Sequence, residues 1–165
     1  AVYDKDGVVI TAIAVNHGHI WPAVGYRIDY KGRSAVISGD TSKSQNLAKH
    51  AKGADLLLHE ALNQDMVNVM GEEFEKDGRP RLQKIFHEIQ AIHATPVDAA
   101  ETAEEAGVKT LVLTHLIPPL PSPILYGSFM KGASEKFSGG IVIAEDGMLF
   151  SLPAGSEKIS RRKIR

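Results

Sequence analysis

Short apolar segments alternate with helical segments along almost the whole chain, and this alternation restricts the fold more than any other feature. Residues 8–15 are rich in β-branched side chains, and residues 54–58 end in three leucines, so both predict strands. Thr95 and Pro96 form a helix start, and Gly107 ends that helix. Helices interleaved with apolar strands are typical of a layered α/β protein.

The predicted order of elements is β-β-β-α-β-α-α-β-α-β-β. Two strand pairs in this order are predicted to be hairpins. The first joins residues 24–30 to residues 34–38 through the turn Lys31-Gly32. The second joins residues 141–144 to residues 148–151 and would close the domain.

Two helices carry more specific predictions. One follows residues 34–38, is capped by Thr41 or Ser42, and ends at Gly53. The other spans residues 82–89, where four apolar side chains recur at helical spacing. That spacing predicts an apolar side that faces the core.

Composition is that of one ordinary domain. The chain has 165 residues, of which 43% are hydrophobic and 24% charged, so it can build its own core. The net charge of -1 offers no general attraction for nucleic acid, and no apolar stretch predicts a membrane partner. The sequence does not decide between a cytoplasmic and a periplasmic location. We assign the domain to residues 1–153 and interpret residues 154–165 as a polar, basic, solvated tail.

Metal-competent side chains directly follow three of the predicted strands. His17 follows the first strand, Asp40 lies in Ser-Gly-Asp-Thr, and His115 ends Leu-Val-Leu-Thr-His. Each could be an ordinary turn or cap residue, but three on separate strands together predict a metal site. Because there is no cysteine, any ion would be held by nitrogen and oxygen ligands.

The chain resembles the C-terminal half of the metallo-β-lactamase fold, in its ribonuclease Z-like and arylsulfatase-like branch. Each matching segment is short, but all of them occur in the family's order, between about residues 8 and 152. The resemblance implies half of a four-layer αβ/βα fold. The matching segments are Val15-Asn16-His17, residues 22–28, Ser38-Gly39-Asp40-Thr41, Leu58-His59-Glu60-Ala61, His93-Ala94-Thr95 and Leu113-Thr114-His115.

By this resemblance the intact protein holds two divalent metal ions, usually zinc, with manganese or iron as alternatives. His17 would bind the first ion, His115 the second, and Asp40 would bridge both. His19 remains an alternative to His17 for the first role.

The resemblance also implies two residues that act on the reaction without holding metal. His93 would donate a proton or stabilise charge on an oxygen of the substrate. Glu60 would orient His93 from behind. His59, next to Glu60, is more consistent with a structural role.

One family signature is not found in these residues. The motif His-x-His-x-Asp-His belongs upstream of Ala1 and supplies four metal ligands. We therefore expect the missing N-terminal half to come from the same longer protein or from another chain, and the isolated chain to be inactive. A half-fold would also expose one sheet face, which predicts association into a homo-oligomer.

The leading functional hypothesis is a metal-dependent hydrolase that uses a metal-bound hydroxide on a phosphodiester, a sulfate ester or a related small ester. An RNA-processing endonuclease of the ribonuclease Z type is the alternative. Two features disfavour it: the short connection between Gly25-Tyr26-Arg27 and Ser38-Gly39-Asp40-Thr41, and the near-neutral charge. A third hypothesis, of another class, is a non-catalytic half-domain that acts as an interaction module.

Overall fold

One mixed sheet of seven strands organises the molecule. In the computed structural model, which describes residues 1–164, the spatial order of this sheet follows the chain order from β1 to β7. Neighbouring strands are antiparallel from β1 to β4 and parallel from β4 to β7. Strands β8 and β9 form a separate antiparallel pair. The strands are β1 (Tyr3–Lys5), β2 (Val8–Ala14), β3 (Val24–Tyr30), β4 (Arg33–Ile37), β5 (Leu56–Leu62), β6 (Thr110–Ile117), β7 (Gly140–Ile143), β8 (Met148–Ser151) and β9 (Ser160–Lys163).

Helices α1 and α4 contribute to the main core with side chains from the middle strands of the sheet. Leu47 of α1 and Ala103 of α4 are fully buried with Val36, Leu57 and Leu111 from the strands. This arrangement confirms the predicted layered α/β class. The helices are α1 (Gln45–Ala51), α2 (Gln64–Lys76), α3 (Pro80–Glu88), α4 (Pro96–Ala106) and α5 (Tyr126–Phe129), with short 3₁₀ turns at Ile89–Ala91, Pro123–Leu125 and Ala133–Glu135.

Local turn chemistry explains the antiparallel end of the sheet. Lys31 and Gly32 both have positive φ, as a two-residue hairpin turn requires, and they join β3 to β4. This hairpin is confirmed. Asp6 and Gly7 have the same geometry and join β1 to β2, a hairpin that the sequence analysis did not predict.

The helix predicted at Thr95 is confirmed at both ends. The Thr95 hydroxyl accepts from the Asp98 backbone N–H at 3.0 Å, and the Asp98 carboxylate accepts from the Thr95 N–H at 3.0 Å. Gly107 ends α4 with φ of 61°, a left-handed conformation that suits glycine. The start of α4 follows His93 directly, so this cap also fixes where His93 lies.

The predicted hairpin between residues 141–144 and 148–151 is wrong. Strand β7 pairs in parallel with β6, where Leu113 lies opposite Ile143, and β8 pairs with β9 instead. Joining the sheet buries Ile143 in the main core, which a two-stranded hairpin would leave exposed.

The prediction that Thr41 or Ser42 caps α1 is also wrong. Ser44 is the cap, and its hydroxyl accepts from the Leu47 N–H at 3.3 Å. Thr41 and Ser42 instead hold the neighbouring loop, since both hydroxyls donate to the Asn16 carbonyl. Competing long-range bonds therefore moved the helix start by two or three residues.

The apolar side of α3 does not face the core, contrary to the prediction. The side chain of Ile85 is 40% exposed, and no residue of α3 is buried. The helix packs on α2, where the rings of Phe74 and Phe86 meet edge to face at 5.1 Å. The two helices thus form a pair that buries its apolar residues mainly against itself.

The sheet face opposite α1 is partly open. Tyr26 and Tyr30 of β3 and Ile37 of β4 point to this face and are each about 40% exposed. This agrees with the expectation that a half-fold leaves a sheet face uncovered. Within residues 1–164, no helix is both long and apolar enough to cross a bilayer.

The basic C-terminal segment is ordered, which the sequence analysis did not predict. Ser160–Lys163 forms β9, although its charged side chains remain exposed. Ahead of it, the buried Arg33 guanidinium donates to the carbonyls of Pro153 and Lys158, both at 3.1 Å. The same guanidinium pairs with the buried Asp55 carboxylate at 3.0 Å. The domain boundary at residue 153 stays a prediction.

Candidate active site

Five candidate residues meet at the carboxyl edge of the sheet. Strands β2, β4, β5 and β6 run in the same direction, because β2 and β4 are both antiparallel to β3 and β4 to β6 are parallel. Their carboxyl ends therefore open on one edge, where α/β proteins commonly bind ligands. His17 follows β2, Asp40 follows β4, Glu60 lies in β5 and His115 in β6, while His93 precedes α4.

His115 is the extra residue of a β-bulge. Thr114 lies opposite Glu60 and Leu116 lies opposite Ala61, so His115 has no partner across the strands. Its φ of 44° is unusual for a residue other than glycine. The prediction that β6 ends at His115 is therefore wrong, since the strand continues to Ile117. The bulge turns the imidazole out of the ladder and leaves its side chain 54% exposed.

Glu60 lies inside β5 rather than after it, so the predicted end of this strand at residue 58 is wrong. Its side chain is 1% exposed. One carboxylate oxygen, Oε1, accepts from the Thr41 N–H at 3.0 Å, the Ala94 N–H at 3.2 Å and the His93 Nδ1 at 2.8 Å. A single buried carboxylate therefore ties together the loop after β4 and the loop before α4.

His93 is held by this carboxylate and faces the other histidines. Burial lowers its pKa, but the hydrogen bond and charge of Glu60, with the charge of Asp40, outweigh burial and raise the pKa above its ordinary value. Because Nδ1 is bonded to Glu60, Nε2 is the nitrogen left for the site. The ring lies 4.9 Å from that of His17 and 5.9 Å from that of His115, between centroids.

His17 is buried with one ring nitrogen occupied. Its Nδ1 donates to the Ile92 carbonyl at 2.9 Å, so Nε2 is the nitrogen left for a ligand bond. A ligand histidine commonly has its other nitrogen bonded in this way. His19 is exposed on the same loop. This placement favours His17 over His19 as the candidate ligand.

Asp40 lies at the mouth of the site. Its Oδ1 is 3.5 Å from the His115 Nε2, and its side chain is 46% exposed. The preceding Gly39 has φ of 63°, and a Cβ there would come within 2.5 Å of the Val24 carbonyl oxygen. Glycine at this position therefore sets the sharp turn that presents Asp40.

His59 does not join the cluster. Neighbours in a strand point to opposite faces, so His59 lies on the other side of the sheet from Glu60. Its ring is fully buried, burial lowers its pKa, and its Nδ1 bonds to the Glu60 carbonyl at 2.7 Å. These features support the structural role expected for it.

Thr41 is a site residue that sequence reasoning missed. It is fully buried, and its hydroxyl accepts from the Asn16 N–H at 3.1 Å while its own N–H donates to Glu60. It thereby connects the loop of His17 to the carboxylate behind His93. Its place directly after Asp40 is the signal that could have identified it.

The donors present fit part of a metal site. His17, Asp40 and His115 offer two imidazoles and a carboxylate, which suit zinc and similar ions. Within residues 1–164, however, no three His, Cys, Asp or Glu side chains are placed to hold one ion together. Further ligands would have to come from outside this part of the chain.

Comparison with known proteins identifies the family. A family model described as a beta-lactamase superfamily domain matches residues 2–116, well over half of the chain. The chain belongs to the metallo-β-lactamase superfamily. This confirms the resemblance on which the fold and the hydrolase hypothesis were based.

Ribonuclease Z proteins are among its curated relatives. Ribonuclease Z of Mycobacterium tuberculosis strain H37Rv is 34% identical over 144 residues, which cover 87% of this chain and 48% of the relative. Ribonuclease Z of Mycobacterium avium strain 104 is 34% identical over 145 residues, with 88% and 48% covered. The chain spans about half the length of the curated relatives that it matches.

Solved structures match in the same way. The short form of human tRNase Z has a TM-score of 0.58 at 28% identity, over 92% of this chain and 46% of that one. The metallo-β-lactamase fold protein YhfI from Bacillus subtilis has a TM-score of 0.61 at 22% identity, over 97% of this chain and 52% of that one. The similarity to YhfI, at 22% identity, supports the fold alone.

Proposed function

We propose that the intact protein is a metal-dependent phosphodiesterase that cleaves RNA. The observation that carries this proposal is the hydrogen bond from His93 to the buried Glu60, set beside Asp40 and His115 at one sheet edge. A superfamily hydrolase needs a proton donor held next to its metal ligands, and this pair supplies one.

The metal ions, held in part by His17, Asp40 and His115, would supply an activated water and neutralise charge on the phosphoryl oxygens. The residues of this chain do the remaining work. Glu60 accepts from the His93 Nδ1 and favours the protonated ring, as the raised pKa of His93 reflects. The Nε2 proton then faces the cluster, where it can pass to the departing oxygen.

We propose RNA rather than a small ester as the substrate because the similar proteins are named as ribonucleases. Curated proteins named ribonuclease Z match 87% of this chain, and the short form of human tRNase Z shares its fold at 28% identity. The short connection before Asp40 and the near-neutral charge argued for a small phosphodiester or sulfate ester instead. That first hypothesis concerned total charge, whereas RNA binding depends on local charge.

A non-catalytic half-domain remains the second candidate. It is favoured by the lack of a complete metal cluster within residues 1–164. It predicts that zinc binds weakly to the isolated chain and that turnover is negligible. Robust hydrolysis by the isolated chain would rule out this candidate.

The proposal is tested with the longer protein that contains this chain, loaded with zinc or manganese. We expect cleavage of a transfer RNA precursor, since one of the similar structures is named tRNase Z. His93→Ala should lower kcat by about 10²–10⁴-fold, the usual contribution of a positioned acid or base. His87→Ala is the matched control, because His87 is exposed on α3, and it should leave kcat unchanged. No cleavage by the metal-loaded wild type, or equal kcat in the two variants, would contradict the proposal.

A further inference from the structure

We propose that Ile92 is a positioning residue for His17, the candidate ligand of the first metal ion. The inference rests on the proposed function, because it takes His17 to bind metal. Ile92 follows the short 3₁₀ turn after α3 and comes directly before His93. It acts on His17 in two ways, through its backbone carbonyl and through its side chain.

The carbonyl of Ile92 determines which nitrogen of His17 faces the site. It lies 2.9 Å from Nδ1, and a carbonyl oxygen can only accept a hydrogen bond. A neutral His17 ring therefore has its proton on Nδ1 and its lone pair on Nε2, which is then the nitrogen that can bind metal. Because the ring cannot flip without losing this bond, the same contact also sets its orientation.

The Ile92 carbonyl is itself held in place by the residues that follow it. The His93 Nδ1 and the Ala94 N–H both bond to the Glu60 carboxylate. The Ala94 carbonyl accepts from the Leu62 N–H at 2.7 Å, which ties this segment to β5 a second time. One short segment therefore holds both the candidate proton donor and the carbonyl that orients the candidate ligand.

The side chain of Ile92 sets the path of the loop that contains His17. Gly18 has φ of 60° and packs so closely on Ile92 that a Cβ on this glycine would overlap the Cγ2 methyl. That methyl is attached to a β-branched carbon with few rotamers, so it cannot easily move aside. A side chain at position 18 would therefore push the loop away from Ile92 and break or lengthen the bond to His17.

Zinc affinity of the longer protein, measured by competition with a chromogenic chelator, tests the inference. The test variant is Gly18→Ala, which introduces the overlap. We expect the Kd of one zinc ion to rise about 10–100-fold, the usual effect of losing the partner that orients a ligand. Gly18→Ala combined with Ile92→Ala keeps the backbone carbonyl but removes the overlapping methyl, so it should recover most of the lost affinity.

Gly53→Ala is the matched control for backbone strain. Gly53 has φ of 66°, close to that of Gly18, but a Cβ there would meet nothing within 4 Å. It lies between α1 and the amino end of β5, at the edge of the sheet opposite the site. Its zinc affinity should equal that of the wild type. Wild-type affinity in Gly18→Ala, equal losses in the two glycine variants, or no recovery in the double variant would overturn the inference.

Nitrogen chemical shifts of the histidine rings provide a readout that needs no metal. In the metal-free wild type, at a pH where the rings are neutral, we expect one His17 tautomer with the proton on Nδ1. Gly53→Ala should show the same tautomer, whereas Gly18→Ala should show a mixture of two. A mixture in the wild type would overturn the inference whether or not zinc binds.

Failure of the proposed function gives a different pattern, because zinc affinity and the tautomer do not depend on the substrate. If the zinc contrast holds and the wild type does not cleave a transfer RNA precursor, the proposed function fails and the role of Ile92 stands. If the wild type cleaves the precursor and Gly18→Ala binds zinc as tightly as the wild type, only the role of Ile92 fails.

Discussion

The inner and outer parts of the candidate site are built differently. Glu60, His93 and His17 are mostly buried, and each is fixed by a hydrogen bond within this chain. Asp40 and His115 are about half exposed and lie 3.5 Å apart without a hydrogen bond between them. This chain alone therefore fixes the proposed proton donor, His93, and one proposed ligand, His17, whereas hydrogen bonds within residues 1–164 do not fix the side chains of the other two proposed ligands.

Removing Glu60 should break the inner part and give the largest effect on stability. Glu60→Ala leaves two buried N–H groups and His93 without their shared acceptor. We expect the free energy of unfolding to fall by about 3 kcal/mol, since each stranded group costs about 1–3 kcal/mol. Urea denaturation followed by circular dichroism measures this loss.

Asp40→Asn is the matched control in the outer part of the site. Because Asp40 is exposed and forms no side-chain hydrogen bond within residues 1–164, its replacement should change stability by less than about 0.5 kcal/mol. Similar losses in the two variants would show that the inner and outer parts do not differ in the way described.

A buried carboxylate at the opposite end of the sheet sharpens the comparison. Burial raises the pKa of Asp55, but bonds from Arg33, Lys109 and the Ser34 N–H outweigh it and lower the pKa to about 2. The folded pKa lies below the unfolded value of about 3.9, so the stabilisation is present above pH 4 and is lost as the pH falls towards 2. This lowering of the pKa corresponds to about 2.5 kcal/mol in full, of which about 2 kcal/mol is lost by pH 2.

Unfolding measured between pH 5 and pH 2 tests this. The wild type should lose about 2 kcal/mol more over that range than Asp55→Asn, in which the group cannot titrate. Parallel curves for the two proteins would mean that Asp55 does not carry this part of the acid sensitivity. Such a result would mean that the buried, hydrogen-bonded carboxylate of Asp55 contributes less to stability than we expect of the one at Glu60.

The sequence predicted the features set by local rules better than those set by contacts between distant segments. The cap at Thr95 and the turn at Lys31-Gly32 follow local rules and were predicted correctly. The wrong hairpin after residue 141 and the misplaced cap at Thr41 both came from contacts between distant segments. Local patterns contain no information about such contacts.

The same limit applies to the candidate site. Order along the chain predicted that His17, Asp40 and His115 would follow strands, and the fold brings all three to one edge. The bulge at His115 depends on how β5 and β6 pair, so the spacing of residues along the sequence could not predict it. The three hydrogen bonds to Glu60 join residues that are 19 to 34 positions apart in the sequence. Periodic patterns within one helix or strand cannot predict such bonds.

The bulge at His115 gives a smaller predicted change than Glu60 or Asp55 and tests whether the outer part of the site stores backbone strain. A residue other than glycine in the left-handed region costs about 1–2 kcal/mol, and glycine avoids this cost. His115→Gly should therefore be about 1 kcal/mol more stable than His115→Ala in urea denaturation, although glycine is usually the more destabilising replacement in a strand. A more stable alanine variant would show that β6 relaxes without cost once the imidazole is removed. The positive φ would then be a consequence of the imidazole's own contacts. The bulge would not be the feature that directs His115 towards Asp40.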